Sequence, residues 1–334
     1  MDKRNYFVKV YAKKLVSIRT VSYPRSVDGT FFGRTFAPQN HYPFMKQLWL
    51  LTVVTICNSV LHAQDWHVGV FGGITGYNGD ISDGWVQGHK QMRGALGVTL
   101  NYDYNEHISF RAGYTHGKVT GYDKYSTNPE HLKRNLSFET NIDEVSLLAE
   151  YYAFNLNERR YSPYFFLGLA AFHFNPYTYD AVNNKVYLKP LSTEGEGLPG
   201  YPDSKPYNLT QVAVPFGAGL KFAVSDRVRI GLEVGLRKLF TDYLDDVSKN
   251  YPDLFDLLVA KGQKAVELSY RGDEVPGGSP LFPDKGLQRG NKNKDWYYFG
   301  GLHLTYRIGG GGGEGVKILR RRSLKGYGCP SSPL

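Results

Sequence analysis

The sequence predicts an all-β fold: an eight-stranded antiparallel up-and-down transmembrane β-barrel with four long outer loops. Three observations carry this. Eight segments alternate apolar with polar or glycine residues at a period of two, the pattern of strands whose two faces meet different surroundings. The connections between them alternate short and long, the asymmetry of barrels that turn tightly on one side of a membrane and loop widely on the other. Aromatic residues (Trp66, Tyr102, Tyr104, Trp296, Tyr298, Tyr306) stand at the ends of apolar stripes, where an interfacial girdle would sit.

Composition agrees. The 334 residues include 38 Gly and 26 Tyr, with 15% aromatic side chains, a profile of glycine-punctuated strands rather than of a helical protein. The mean hydropathy of −0.39 excludes a multi-span helical membrane protein. It does not weigh against a barrel, whose strands are only half apolar.

Taken in order, residues 66–75 set Trp66, Val68, Val70 and Ile74 against His67, Gly69 and Gly73. Residues 95–104 alternate Leu96, Val98, Leu100, Tyr102 and Tyr104 with Gly97, Thr99, Asn101 and Asp103, and residues 107–117 put Ile108, Phe110, Ala112 and Tyr114 opposite Ser109, Arg111, Gly113 and Thr115. Residues 143–154 oppose Val145, Leu147, Ala149 and Tyr151 to Glu144, Ser146 and Glu150, with Leu148 and Phe154 blurring the pattern. Residues 162–176 are apolar on both faces. The next two segments are the clearest: Val212 to Val224 opposes Gln211, Gly217, Gly219 and Lys221, and Val228 to Leu236 opposes Arg229, Gly231, Glu233, Gly235 and Arg237. The last, residues 296–308, alternates Trp296, Tyr298, Leu302, Leu304, Tyr306 and Ile308 with His303, Thr305 and Arg307. Asn105-Glu106, Ser225-Asp226 and residues 155–161 are the short connections; residues 76–92, 118–135, 176–210 and 241–293 are the long ones, facing outward, with both ends of the barrel at the short-turn side.

The polar faces point inward and carry Arg111, Glu144, Glu150, Lys221, Arg229, Glu233 and Arg237. An eight-stranded bore is just wide enough for side chains to fill, and a lone charge buried there would be costly, so these residues are expected to pair with one another as a structural network. Inward glycines leave room for the long side chains.

The ends read differently. Residues 45–64, MKQLWLLTVVTICNSVLHAQ, have the charged start, short apolar run and small-residue exit of a secretory signal peptide. This divides the chain into a mis-assigned upstream extension (1–44), a signal peptide (45–63), the barrel (64–308) and a Gly-rich basic tail (309–334). Residues 64–308 hold 26 Lys+Arg against 28 Asp+Glu, so the formal net charge of +9 belongs to the termini. A nucleic-acid partner therefore loses its support. The two cysteines, Cys57 and Cys329, are terminal as well, leaving no disulfide framework in the barrel.

No catalytic, cofactor or metal site is expected. The run GGGGGEG (309–315) lacks the Lys-Ser/Thr of a phosphate loop. His67, His107, His116, His173 and His303 are scattered, and His303 with Thr305 and Arg307 lacks a serine nucleophile and an orienting carboxylate. In FTDYLDDVSKNYPD (240–253), Asp242, Asp245 and Asp246 offer hard oxygen ligands but not the alternating spacing of a calcium loop. The aspartates are expected instead to cap or bridge basic side chains at the barrel rim, with Tyr243 and Tyr251 packing the loop over the mouth.

The blocks GITGYNGDIS (73–82), RNLSFETNIDE (134–144), SPYFFLGLAAFHFNP (162–176), LKPLSTEGEG (188–197), VPFGAGLKF (214–222) and RKLFTDYLDDVSKNYPD (237–253) resemble, in order, the PorG-like outer-membrane barrels of Bacteroidetes, with Thr241, Asp242, Tyr243, Asp245 and Asp246 in the signature loop. The resemblance implies an exported, non-enzymatic barrel in contact with outer-membrane lipids. It further implies an accessory component of the type IX secretion system, with the periplasmic ring proteins of that machine as partners. A general structural or adhesive surface barrel without a secretion role is the alternative.

Overall fold

The computed structural model describes residues 66–82, 84, 90–291 and 293–308. The expected upstream extension, signal peptide and basic tail fall outside the described residues. Eight long strands close on themselves: β1 (Trp66–Asn78), β2 (Arg93–Asp103), β3 (Ile108–Tyr122), β4 (Ser137–Tyr152), β5 (Tyr161–Phe174), β8 (Thr210–Ala223), β9 (Val228–Leu239) and β10 (Trp296–Ile308). Each pairs antiparallel with its neighbour in the chain, and β10 returns to β1 with Trp66 opposite Ile308 and Asn78 opposite Trp296. Closure leaves the barrel no unpaired edge, which is what lets strands sit in lipid.

Alternation runs as the sequence implies. Leu96 (72% exposed), Leu147 (66%) and Leu169 (70%) face outward among a continuous band of Val, Leu, Ile and Phe, a surface suited to lipid rather than to water. Trp66 and Tyr102 pack against each other at the short-turn border of the band, ring centroids 5.0 Å apart. Tyr298 departs from the expected girdle: it is buried and lies across Gly76, where an added Cβ would fall on its ring. The two ambiguous segments resolve. Leu148 points inward, and β5 turns Tyr164, Phe166, Phe172 and Phe174 into the bore and Phe165, Leu167 and Leu169 outward.

The three short turns share one device. Asn105 Oδ1 accepts from the backbone N–H groups of His107 and Ile108 (2.9 and 2.8 Å), Asn155 Oδ1 from that of Asn157 (2.8 Å), and Ser225 Oγ from those of Arg227 and Val228 (3.3 and 3.1 Å). A side-chain oxygen replaces the missing strand partner and fixes each reversal.

The opposite end is built up. β3 and β4 run further than the alternation suggested, pairing to Tyr122–Ser137. Their hairpin carries a short helix α1 (Pro129–Arg134), capped by Asn128 Oδ1 on the N–H of Glu130 (3.0 Å). The loop after β5 forms a hairpin, β6 (Tyr177–Tyr179) and β7 (Lys185–Tyr187), with β6 joined to β4 at Glu139. The last loop holds α2 (Leu254–Lys261) and α3 (Gln263–Ser269). These elements form a cap over the barrel mouth.

An aromatic column joins bore and cap. Phe71 meets Phe299, Phe299 meets Tyr297, Tyr297 meets Phe172, and Phe172 meets Phe174, at centroid distances of 5.4 to 6.2 Å. Phe174 then stacks on Tyr207 (6.1 Å) and Tyr207 on Tyr243 (4.8 Å, 10° between planes). Tyr251 packs elsewhere in the cap, against Tyr270 and Phe282.

Candidate functional site: a filled bore and its loop cap

The inward charges come from strands far apart in sequence and meet across the bore. Glu150, fully buried, takes Lys221 Nζ at 2.9 Å on one oxygen and faces Arg111 Nε at 2.8 Å on the other, the second an ion contact rather than an aligned hydrogen bond. Arg111 Nη1 donates to Glu233 Oε2 (2.8 Å), and the Tyr164 hydroxyl donates to the same oxygen. Arg111 also lies over the Phe166 ring, 5.2 Å from its centroid, so its flat face is covered as well as its edge. One storey toward the cap, Arg237 grips Glu144 with two nitrogens (3.0 and 3.1 Å), and the Tyr297 hydroxyl donates to the same carboxylate (2.7 Å). Arg229 stands apart: it pairs with Asp103 at the short-turn mouth (2.8 Å), a partner the alternation placed on the inward face without naming its role.

Glycines make the network possible. A Cβ on Gly69 would fall 2.5 Å from Thr99 Oγ1 and 2.8 Å from His303 Nε2. In that space His303 Nε2 meets Thr99 Oγ1 at 2.7 Å, while Arg111 Nη1 donates to His303 Nδ1 at 3.3 Å. Arginine can only donate, so Nδ1 is the acceptor and the ring proton sits on Nε2, donated to Thr99. His303 is thus a neutral, fully engaged side chain.

The space left in this part of the bore, between Phe71, Arg111, Glu233 and Phe299, is about 20 Å³, room for one water.

The signature loop sits in the cap above the aromatic column. Its three aspartates are buried and diverge. Asp242 Oδ2 accepts from Ser248 Oγ (2.9 Å); Asp245 accepts from the Tyr77 hydroxyl and the N–H of Val247; Asp246 accepts from Tyr207 Oη and Thr193 Oγ1 (2.6 Å each). Among the described residues, the expected bridges from these carboxylates to basic side chains are not formed. The guanidinium at hand, Arg289, binds Glu194 (3.2 Å) and reaches Asp246 only at its backbone carbonyl (2.7 Å). Hydroxyls and N–H groups satisfy these carboxylates instead. Thr241 Oγ1 accepts from the N–H of Tyr243 (3.3 Å), and Asp246 takes a left-handed backbone (φ 67°) that turns the loop.

Further carboxylates surround these. The Tyr77 hydroxyl, with one proton to donate, faces both Asp245 and, at 3.2 Å, Asp295 Oδ1. One hydroxyl proton shared between two carboxylates leaves the trio short of a donor, which favours a further proton on one carboxyl. Burial first, then the neighbouring charges of Asp295 and Asp80, push the Asp245 carboxyl well above its usual range; burial, then Asp242 and Asp80, does the same to Asp295. Burial pushes Glu196 up to about 8, Asp80 to about 7 and Asp246 to about 6. Despite this acidity, no three His, Cys, Asp or Glu side chains among the described residues converge as a metal-ligand set.

Two of the scattered histidines find local partners, whereas His67 is buried in the bore with neither ring nitrogen hydrogen-bonded. His116 Nδ1 meets Asp143 Oδ1 (2.8 Å) and His173 Nδ1 meets Thr210 Oγ1 (3.0 Å), both on the outward face where the apolar band ends. Ser126 Oγ lies 3.3 Å from His131 Nδ1, in a turn where that oxygen also accepts from the N–H of Asn128 (2.9 Å).

The family described as "Domain of unknown function (DUF6089)" matches residues 46–260. No curated protein matches the chain. Among solved structures, Neisserial surface protein A is similar at 9% identity, with 73% of this chain and 97% of that one covered and a TM-score of 0.38. OprG of Pseudomonas aeruginosa is similar at 12% identity (74% and 98% covered, TM-score 0.36), as is a major outer membrane protein of Thermus thermophilus (12% identity, 73% and 99% covered, TM-score 0.36).

Proposed function

We propose that this chain, which belongs to the DUF6089 family, is a non-enzymatic outer-membrane barrel that works by binding, as an accessory component of the type IX secretion system. The observation that carries the binding part is the filled bore. With about 20 Å³ left among Arg111, Glu233 and their neighbours, and with the cap joined to it by stacked rings, the protein acts through its two faces rather than through a channel. The secretion part rests on the ordered sequence blocks that resemble the PorG-like barrels. The short-turn face, braced by Asn105, Asn155 and Ser225, is the surface that would meet periplasmic ring proteins.

Deletion of the gene tests the assignment. Type IX cargo should accumulate in the periplasm, and cross-linkers placed at residues 106, 158 and 226 should capture ring proteins. Normal export with no capture rejects the secretion role. A second reading, a surface barrel without that role, is favoured by the size of the cap, whose exposed Val259 (86%) and Leu281 (75%) lie on the far side from the turns. Under it, export stays normal while the barrel remains in the outer membrane.

A further inference from the structure

We infer that the cap end of the barrel carries a site for a phosphorylated glycolipid of the outer leaflet, on the outward face where β9, β10 and β1 lie side by side; the site rests on the outer-membrane reading above. The outward row of β9 runs through Ile230, Leu232, Val234 and Leu236 and ends in an exposed lysine, Lys238. In register with Lys238 stand Trp296 of β10 and, beyond it, Asn78 of β1. Trp296 reaches across β9 to pack on Phe216, ring centroids 6.1 Å apart. The apolar band therefore closes at this seam in an indole, a cation and an amide, the residue types of the level where lipid headgroups lie.

Charge selects the headgroup. An open cleft beside the seam is lined by Asn78, Ser82, Lys238, Asn293, Lys294 and Trp296, with no carboxylate among its described residues. Lys238 and Lys294 are exposed, and among the described residues neither holds a hydrogen bond or an ion pair. The cross-strand neighbours of Lys238 are Val214 and Trp296, which offer it no carboxylate. Other cations at this end are already spent: Lys118 pairs with Glu139 and His116 meets Asp143. Behind the cleft Asp242 and Asp295 are buried and accept from Ser248 Oγ and the N–H of Leu244 (2.9 Å each). Burial raises both carboxyls above their ordinary range, which weakens their hold on the lysines. Two unspent ammonium groups just past a lipid-facing band suit an anion presented by the lipid itself, and the anion of a lipid headgroup is phosphate.

The surface below the lysines separates a lipid from a free anion. Gly300 stands between Ile74 and Val234 on the outward face, and the atom nearest an added Cβ there, Val234 Cγ2, is 3.7 Å away. The band dips at that point, so an acyl chain can lie in the furrow while its head reaches Lys238. Asn78 and Asn293 flank the lysines, and an amide both donates and accepts, which matches the hydroxyls of a sugar that carries the phosphate. Cations, amides and an apolar furrow in one line describe a phosphorylated glycolipid rather than a soluble ion.

The full-length barrel is first inserted into phosphatidylcholine vesicles; failure to insert overturns the outer-membrane reading itself. The folded protein is then released from dodecyl maltoside micelles containing diphosphoryl lipid A, and the bound lipid is counted by native mass spectrometry. Saturable binding is expected, about tenfold tighter than that of fully dephosphorylated lipid A and about fivefold tighter than that of phosphatidylglycerol, and unmoved by excess inorganic phosphate. Lys238→Gln and Lys294→Gln should each weaken it about fivefold and the double variant about twentyfold, whereas Lys205→Gln, an exposed cap position outside the cleft, should leave it unchanged. Folded-form mobility on gels checks each variant. A barrel that inserts but binds the dephosphorylated lipid or phosphatidylglycerol equally well, loses lipid A to inorganic phosphate, or keeps its affinity in the double variant overturns the inference alone.

Discussion

Glu150 is where the structure concentrates most of its electrostatic risk, and Glu150→Ala is the sharpest test of the buried network. The carboxylate is fully buried and serves Lys221 at 2.9 Å, Arg111 at 2.8 Å and the Tyr152 hydroxyl. After its removal Arg111 keeps Glu233, while Lys221 keeps only the Tyr152 hydroxyl and the faces of Tyr152 and Tyr164, about 4.9 and 4.8 Å from their centroids. Removing one partner of a buried pair costs about 3–5 kcal/mol, mostly from the charge left behind. Lys221→Met alone leaves Glu150 paired with Arg111 and should cost about 1–3 kcal/mol. The double variant removes the stranded ammonium, so it should be more stable than the sum of the singles by about 2 kcal/mol. Urea unfolding of protein reconstituted in lipid vesicles, followed by the gel mobility of the folded form, measures all four corners of the cycle. A Glu150→Ala cost below about 1 kcal/mol, or strict additivity, would refute the account of the bore as a mutually neutralising network.

Other consequences are as direct. Leu147→Arg, at an outward position 66% exposed, should destabilise by about 2–4 kcal/mol in vesicles, whereas the same change on a water-facing surface would stay within about 0.5 kcal/mol; a near-zero effect in vesicles contradicts the lipid-facing band. Gly69→Ala should cost about 1–3 kcal/mol by overpacking against Thr99 and His303, measured in the same unfolding assay. The cap should loosen as pH rises: Glu196, Asp80 and Asp246 hold protons when folded up to about pH 8, 7 and 6, against ordinary values of 4.5, 3.8 and 3.8. The folded state therefore binds more protons than the unfolded one, and the stability from these groups is complete below about pH 4 and drains away as pH climbs through those values. Amide exchange at residues 240–250, corrected for the intrinsic effect of pH, should rise about tenfold between pH 5 and 9; a flat profile would contradict the buried acidic cluster.

Much of the barrel is legible in the sequence because a strand writes its two environments into alternate residues. Val228 to Arg237 alternates without exception, and its inward Glu233 and Arg237 stand where the period of two puts them. Where both faces are apolar the signal fails: in β5 nothing in the residue types separates inward Phe166 from outward Phe165, and only the register against Gly217 and Ala218 does so. β4 begins at Ser137, six residues before its alternation shows, because the hairpin with β3 leaves the lipid band and loses the apolar face. The signature loop is visible as a cluster of aspartates, but its partners are not. Tyr77, Thr193 and Tyr207 lie 168, 53 and 39 residues away from the carboxylates they serve. Such contacts belong to the tertiary fold, and a lone hydroxyl in a distant segment carries no mark of its destination.

The stacked rings from Phe71 to Tyr243 also decide where this chain can vary. In a barrel whose loops only decorate its rim, those loops can be lengthened, shortened or replaced while the strands hold the fold. Here the loop bearing Tyr243 and Leu244 is buried as deeply as the bore, so it behaves as interior and should tolerate substitution as poorly as a core strand. The freedom to diverge is left to the tips around Val182 and Leu281, both 75% exposed, and insertions or epitope tags placed there should be accepted while the same insertions between Asp242 and Val247 prevent the barrel from reaching its folded form.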